Sequence, residues 1–133
     1  HYGVFKPEAN EICKAGKYAA HTGGGNTGSI GVAICAMLNY KSAKSVGKYP
    51  ITKKQFESTM NFCAQLCKKY NIQITQQTVL THYEFGKRNP KTTSAGKIDI
   101  NYLPPYQWIT KEEVGSFIRT KIKWYLNKIN KIN

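Results

Sequence analysis

Acidic residues are scarce in this chain, which has 7 aspartates and glutamates against 20 lysines and arginines, and Asp99 is the only aspartate. Arginine is almost as rare, because only Arg88 and Arg119 occur and lysine carries nearly all of the net charge of +13. A field this positive attracts polyanions such as nucleic acid, anionic lipid or wall polymers. Proteins that read bases and phosphates rely on the bidentate fork of arginine, so its scarcity argues against a nucleic-acid partner. Because no block of five or six lysines occurs, the simpler interpretation is a solvated lysine-rich surface.

Long apolar runs are also missing. None approaches the roughly 18 residues that span a bilayer, so we expect no membrane insertion. No secretory signal pattern is visible, and the chain opens at His1 rather than Met, which predicts a trimmed or incomplete N-terminus. A length of 133 residues suits one domain with a single core. We therefore expect one monomeric domain over residues 1–133, with a frayed tail at 127–133.

The four cysteines lack the spacing of a zinc finger. Cys63 and Cys67 lie four apart on one predicted helical face, which is poor geometry for a disulfide. Cys35 lies inside an apolar, strand-like run. We therefore predict buried free thiols and synthesis in a reducing compartment, the cytoplasm.

Two helices are predicted from capping boxes, in which a threonine is followed three residues later by Gln or Glu. The first box pairs Thr52 with Gln55 and precedes apolar residues at helical spacing, with a stop near Asn71. The second box pairs Thr110 with Glu113. Its inward residues are predicted to be Val114, Phe117, Ile118, Ile122 and Tyr125.

Strands are predicted in two places. Residues 29–38 are apolar on both alternating faces, as in a strand buried in the middle of a sheet. Residues 78–81 form a second, short strand that runs into His82, and residues 85–96 have the composition of a loop. The order strand, helix, strand, helix predicts an α/β fold with a central mixed β-sheet flanked by helices.

Two pairs of chemically active residues, His82 with Glu84 and Lys97 with Asp99, are each separated by one residue. In an extended backbone, residues two apart point to the same face, and the intervening loop allows the pairs to meet. An imidazole, two carboxylates and an ammonium together suit a hydrolytic zinc site. Spacing alone leaves the alternatives open, because such a histidine is often a structural hydrogen-bonder and Lys-x-Asp is often a surface ion pair.

Two ordered blocks of sequence resemble one family. Residues 18–32 (YAAHTGGGNTGSIGV) resemble the His-Ala-Gly, Asn, Ser-Ile-Gly signature of the type 2 peptidoglycan amidases, which include phage amidases and animal peptidoglycan-recognition proteins. Residues 81–84 (THYE) and 96–100 (GKIDI) resemble the second metal-binding segment of that family, particularly in phage and prophage endolysins. The blocks stand in the family's order, with a predicted helix between them.

The resemblance implies a zinc-dependent N-acetylmuramoyl-L-alanine amidase, which acts on bacterial peptidoglycan in the periplasm or outside the cell. It implies that His82 and Asp99 bind zinc. It also implies that Lys97 steadies the oxyanion of the tetrahedral intermediate and that Glu84 serves as the general base. The residues that it assigns to the substrate groove are His21, Asn26 and Tyr2.

The sequence departs from the family pattern in two respects. Many members carry a glutamate where this chain has Ala33. The third zinc ligand is not evident: it is either His1 or a residue on a first strand that lies outside the given sequence. These departures leave a second function open, a module of the same fold that binds muramyl peptide without cutting it.

Overall fold

The structure is a computed structural model that describes residues 20–132. It contains three α-helices, α1 (Lys53–Lys69), α2 (His82–Arg88) and α3 (Val114–Ile132), and a 3-10 turn at Pro104–Tyr106. Within residues 20–132 no sheet is formed, and the one antiparallel contact is an isolated bridge between Ser42 and Ser45. The predicted central mixed β-sheet is therefore wrong for this part of the chain. The expectation that the chain lacks the family's first strand concerns residues outside 20–132.

Helix α1 begins and ends as the sequence predicts. The Gln55 N–H donates to the Thr52 hydroxyl at 3.1 Å, and the Thr52 N–H donates to the Gln55 side chain at 3.0 Å. This reciprocal box satisfies two of the amide groups that a helix N-terminus leaves without partners. After the helix ends, Asn71 takes a φ of +53°, a left-handed conformation that asparagine tolerates.

The strand predicted at residues 78–81 is wrong, because these residues form a turn and irregular backbone that lead into α2, and α2 takes the place of the first part of the loop predicted at 85–96. Thr81 caps it, because its hydroxyl accepts from the Glu84 N–H and the Glu84 carboxylate accepts from the Thr81 N–H, both at 3.0 Å. The box provides local partners for two amide groups, whereas a short strand needs a neighbouring strand for the same purpose. The loop itself follows the helix, from Asn89 onward.

Helix α3 starts next to the second predicted box. The Glu113 carboxylate accepts from the Thr110 N–H at 3.0 Å and from the Thr110 hydroxyl at 2.9 Å, and the helix begins at Val114. The predicted inward face is confirmed: Val114 and Ile122 are buried, and its other three members pack against them. Helix α3 continues to Ile132, and Leu126 and Ile129 also pack against the core.

The apolar segment 29–38 is not a strand. Ile30 is 40% exposed and Leu38 is 62% exposed, because no neighbouring strand covers them within the described residues. Cys35 is consequently exposed, and the prediction that it is buried was wrong. Cys63 and Cys67 lie inside α1 as free thiols, and burial raises the pKa of Cys63 to about 12.

The core lies between α1 and α3. Phe56 packs edge-on against Tyr106 at 5.2 Å between ring centroids and stacks on Phe117 at 5.7 Å. Beside this contact, Glu57 accepts hydrogen bonds from the Tyr106 hydroxyl and from Lys121 on one oxygen, and from Tyr125 on the other. Burial alone raises the pKa of Glu57, but these hydrogen bonds outweigh it and hold the pKa below its ordinary value. No helix in the described part of the chain is both long and apolar enough to cross a bilayer.

Candidate functional site

His82 and Asp99 lie in contact although 17 positions separate them. The Nδ1 atom of His82 is 3.1 Å from Oδ2 of Asp99. The histidine side chain is 16% exposed and the aspartate side chain is 68% exposed, so the pair stands at the edge of the interior. The Tyr83 N–H donates to the Asp99 carbonyl at 2.7 Å, which holds the aspartate backbone against the start of α2.

The other nitrogen of the His82 ring contacts a residue that the sequence did not single out. Nε2 lies 3.0 Å from the Ser94 hydroxyl, and that hydroxyl donates to the Gly23 carbonyl at 2.7 Å. The order serine, histidine, aspartate is that of a nucleophilic triad. Ser94 is fully buried, however, and its hydroxyl donates to a backbone carbonyl, so the hydroxyl is not accessible to a substrate. We interpret Ser94 as a positioning residue that orients the ring of His82.

With the zinc-binding role that the family resemblance implies for His82, we expect Ser94→Ala to lower activity on a soluble muramyl peptide about 10- to 100-fold, because partners that orient a ligating histidine have effects of this size. The measurements are kcat, KM and zinc content, together with a thermal melt that separates misorientation of the ring from unfolding. Thr93→Ala, at the exposed neighbouring residue, is the matched control. Wild-type turnover and zinc content in a folded Ser94→Ala protein would contradict the positioning role.

Glu84 faces away from His82, toward α3. Arg119 donates to both of its oxygens, with Nη1 2.9 Å from Oε1 and Nη2 3.0 Å from Oε2. Burial alone raises the pKa of Glu84, but the hydrogen bonds from Arg119 and Thr81 outweigh it and lower the pKa. The prediction that His82 and Glu84 share a face assumed an extended backbone. On a helix, residues two apart do not face each other.

Two more predicted site residues lie in the glycine-rich loop that follows residue 20. The Asn26 side chain accepts from the His21 N–H at 2.9 Å and from the Thr22 N–H at 2.6 Å, so its carbonyl oxygen closes the loop. His21 Nδ1 contacts the Thr22 hydroxyl at 2.9 Å. Its Nε2 is buried and has no hydrogen-bond partner among residues 20–132. Gly31 packs against the His21 ring, where any side chain would overlap it.

A cavity of about 1130 Å³ connects these features. The polar residues in its lining include His21, Thr22, His82 and Asp99. The apolar residues in its lining include Phe56, Met60 and Ile122, which come from the helices. The cavity therefore combines a few convergent polar groups with an apolar wall, as ligand sites commonly do.

The remaining predicted residues lie elsewhere. Lys97 is exposed and does not line the cavity, and within the described residues its ammonium makes no ion pair. His1 and Tyr2 lie outside the described residues.

The described residues fit a zinc ion in part. Zinc bonds to nitrogen and oxygen of about 2.1 Å at tetrahedral angles separate two ligand atoms by roughly 3.4 Å. The 3.1 Å between His82 and Asp99 is close to that separation. Between residues 20 and 132, however, no group of three His, Cys, Asp or Glu residues comes together to hold a metal ion. The pair therefore fits two corners of a zinc site, and a third must come from elsewhere.

Comparison with known proteins gives one match. The model of a family described as N-acetylmuramoyl-L-alanine amidase matches residues 1–97, nearly three-quarters of the chain. The match includes His21, His82 and Lys97 and stops two residues before Asp99. No curated protein and no solved structure matches the chain.

Proposed function

This chain belongs to the N-acetylmuramoyl-L-alanine amidase family, and from that premise we propose that it is a zinc-dependent hydrolase of peptidoglycan. The bond cleaved joins N-acetylmuramic acid to L-alanine, which locates its action at the bacterial cell wall. The observation that carries the proposal is the contact between His82 and Asp99, both of which line the cavity. An imidazole and a carboxylate that meet from distant parts of the chain are the ligand types that a catalytic zinc uses.

In this proposal His82 and Asp99 hold the zinc together with a third ligand, either His1 or a residue outside the given sequence. A bound zinc lowers the pKa of its water to about 7 and polarises a carbonyl group. The roles of stabilising the oxyanion, binding the substrate and positioning His82 are assigned below to side chains of this chain.

We assign Lys97 to stabilise the negative charge that develops on the substrate oxyanion. Lys97 does not line the cavity, but it is exposed, lies two residues before Asp99 and has no carboxylate partner within residues 20–132, so its ammonium is free to approach a substrate oxyanion at the rim. The buried Nε2 of His21 has no hydrogen-bond partner within residues 20–132, and we assign it to a polar group of the muramyl peptide that enters the cavity. Asn26 acts on the substrate through the shape of the loop that it closes.

Glu84 is the residue whose proposed role changes most. The resemblance implies a general base, but its two oxygens are bound by Arg119 and its pKa is lowered, which makes it a poor proton acceptor near neutral pH. We therefore assign Glu84 a positioning role: its carboxylate completes the capping box of α2 and fixes the first turn, which carries His82.

The second candidate function is a module that binds muramyl peptide without cutting it. It is favoured by one observation, that residues 20–132 supply no third ligand for a metal. Ala33, where many members of the family carry a glutamate, points the same way.

We expect the protein to release stem peptides from purified sacculi, each with a free amino group on its L-alanine. We also expect a chelator to abolish the release and added zinc to restore it, because a bound zinc would lower the pKa of the attacking water. Release is measured by labelling new amino termini. A protein that sediments with sacculi but releases nothing would establish the binding module, and release that survives complete removal of metal would contradict zinc dependence.

A further inference from the structure

Two tryptophans lie exposed in the part of the chain beyond the family match. Trp108 is 74% exposed and Trp124 is 49% exposed. Trp108 packs edge-on against Tyr106 at 5.7 Å between ring centroids, and Trp124 packs edge-on against Tyr125 at 4.8 Å. Both tyrosine hydroxyls donate to the carboxylate of Glu57, so the four rings are held in one connected arrangement. We call the two exposed rings, Trp108 and Trp124, the aromatic surface.

The helix that carries Trp124 has only basic residues among its charged residues. Helix α3 contains no aspartate or glutamate. Its basic residues are Arg119, Lys121, Lys123, Lys128 and Lys131. Arg119 is bound to Glu84 and Lys121 to Glu57, whereas Lys123 and Lys128 have no carboxylate partner within residues 20–132. The ammonium of Lys128 lies 4.1 Å from the centre of the Trp124 ring, so exposed charge and exposed ring form one feature.

An exposed indole ring beside an ammonium group that has no carboxylate partner within residues 20–132 fits a ligand with apolar ring faces and negative charge. The C–H faces of a sugar ring pack on an aromatic ring, and phosphodiester groups are drawn to lysine. We propose that the aromatic surface and α3 form a second binding site, for a wall glycan that carries phosphodiester groups. The inference rests on the proposed function only in that both locate the protein at the bacterial wall.

Two other anionic partners fit less well. A helix that binds a lipid surface inserts its apolar face, but the apolar face of α3 is turned inward, with Val114 and Ile122 buried. A nucleic-acid interface draws on arginine forks, but both arginines of the chain contact Glu84. The lysines and indole rings that remain are suited to a charged sugar chain.

The test compares binding to intact sacculi with binding to sacculi from which hydrofluoric acid has removed the phosphodiester-linked polymer. We expect the wild-type protein to bind the intact sacculi more tightly, and Trp108→Ala/Trp124→Ala to lose roughly tenfold or more of that affinity, since truncated tryptophan anchors have effects of this size. Lys123→Gln/Lys128→Gln should weaken binding and flatten its salt dependence. Lys44→Gln/Lys48→Gln removes the same charge from the exposed loop between Asn39 and Pro50 and should leave binding unchanged.

Hydrolysis of a soluble muramyl peptide should be unaffected by the tryptophan substitutions, and the His82→Ala protein should still bind the polymer. A failure of the second site is thereby distinguished from a failure of the amidase proposal. Equal wild-type binding to intact and stripped sacculi would overturn the inference. So would tryptophan variants that bind as the wild type does, or a wild-type preference for anionic vesicles or DNA over the polymer.

Discussion

Asp99→Asn is expected to lower zinc content and hydrolysis of muramyl peptide together, each by more than about 100-fold. The substitution keeps the shape of the side chain but removes the negative charge that faces His82 Nδ1 at 3.1 Å. Loss of a partner that only orients a ligand weakens metal binding or activity about 10- to 100-fold, and loss of a ligand should exceed that. Zinc content is measured on the purified protein and turnover on a soluble muramyl peptide. Full zinc content with lost activity would remove Asp99 from the metal site.

Lys97→Ala is the matched contrast to this substitution. Lys97 stands two residues away, carries the opposite charge and makes no ion pair within residues 20–132, so its loss should leave zinc content unchanged. We expect kcat to fall about 100-fold, the usual effect of removing one group that stabilises an oxyanion, with little change in KM. Wild-type turnover in the Lys97→Ala protein would exclude the oxyanion role.

Arg119→Met is expected to remove about 3–5 kcal/mol from the free energy of unfolding, because it leaves the carboxylate of Glu84 largely buried without its partner. The side chains of Arg119 and Glu84 are only 9% and 17% exposed, and two hydrogen bonds join them. The measurement is denaturant unfolding at neutral pH. Glu84→Gln/Arg119→Met should be more stable than Arg119→Met alone, since no charge is then left without a partner.

The effect of this pair also has a defined dependence on pH. The folded-state pKa of Glu84 is lowered, so the pair stabilises the protein above the unfolded-state pKa of the carboxyl, and the stabilisation is lost as pH falls through the folded-state value. The difference between wild type and Arg119→Met should therefore shrink in acid. Arg88→Met is the control, because Arg88 is 39% exposed and 3.5 Å from Glu84, an interaction worth about 0–1 kcal/mol. Equal losses for the two arginine substitutions would contradict the special role of Arg119.

The helices were predictable from the sequence because their signals are local. The box at Thr52 and Gln55 set the start of α1, and the same pattern at Thr81 and Glu84 would have located α2. The apolar residues before this second box favour a strand instead, and they conceal the start of the helix. The segment 29–38 shows the opposite case: alternation predicts a buried strand, but a strand needs partners, and the part of the chain from residue 20 to 132 provides none.

The candidate site was also predictable only in part, because some of its contacts join residues that are distant in the chain. The contact of His82 with Asp99 follows from a loop that returns toward its own start, which the glycines and proline of that loop indicate. Ser94 was missed because its second partner, Gly23, lies 71 positions away, and no local pattern reports such a contact. The partner of Glu84 lies 35 positions away on α3, for the same reason.

The link between Glu84 and Arg119 makes the helix beyond the family match part of the site's support. A fragment cut at residue 97 would keep the imidazole but lose its neighbouring aspartate, and the cap of α2 would hold a carboxylate without its guanidinium. A domain boundary drawn where the family resemblance stops would therefore separate His82 from Asp99 and Glu84 from Arg119.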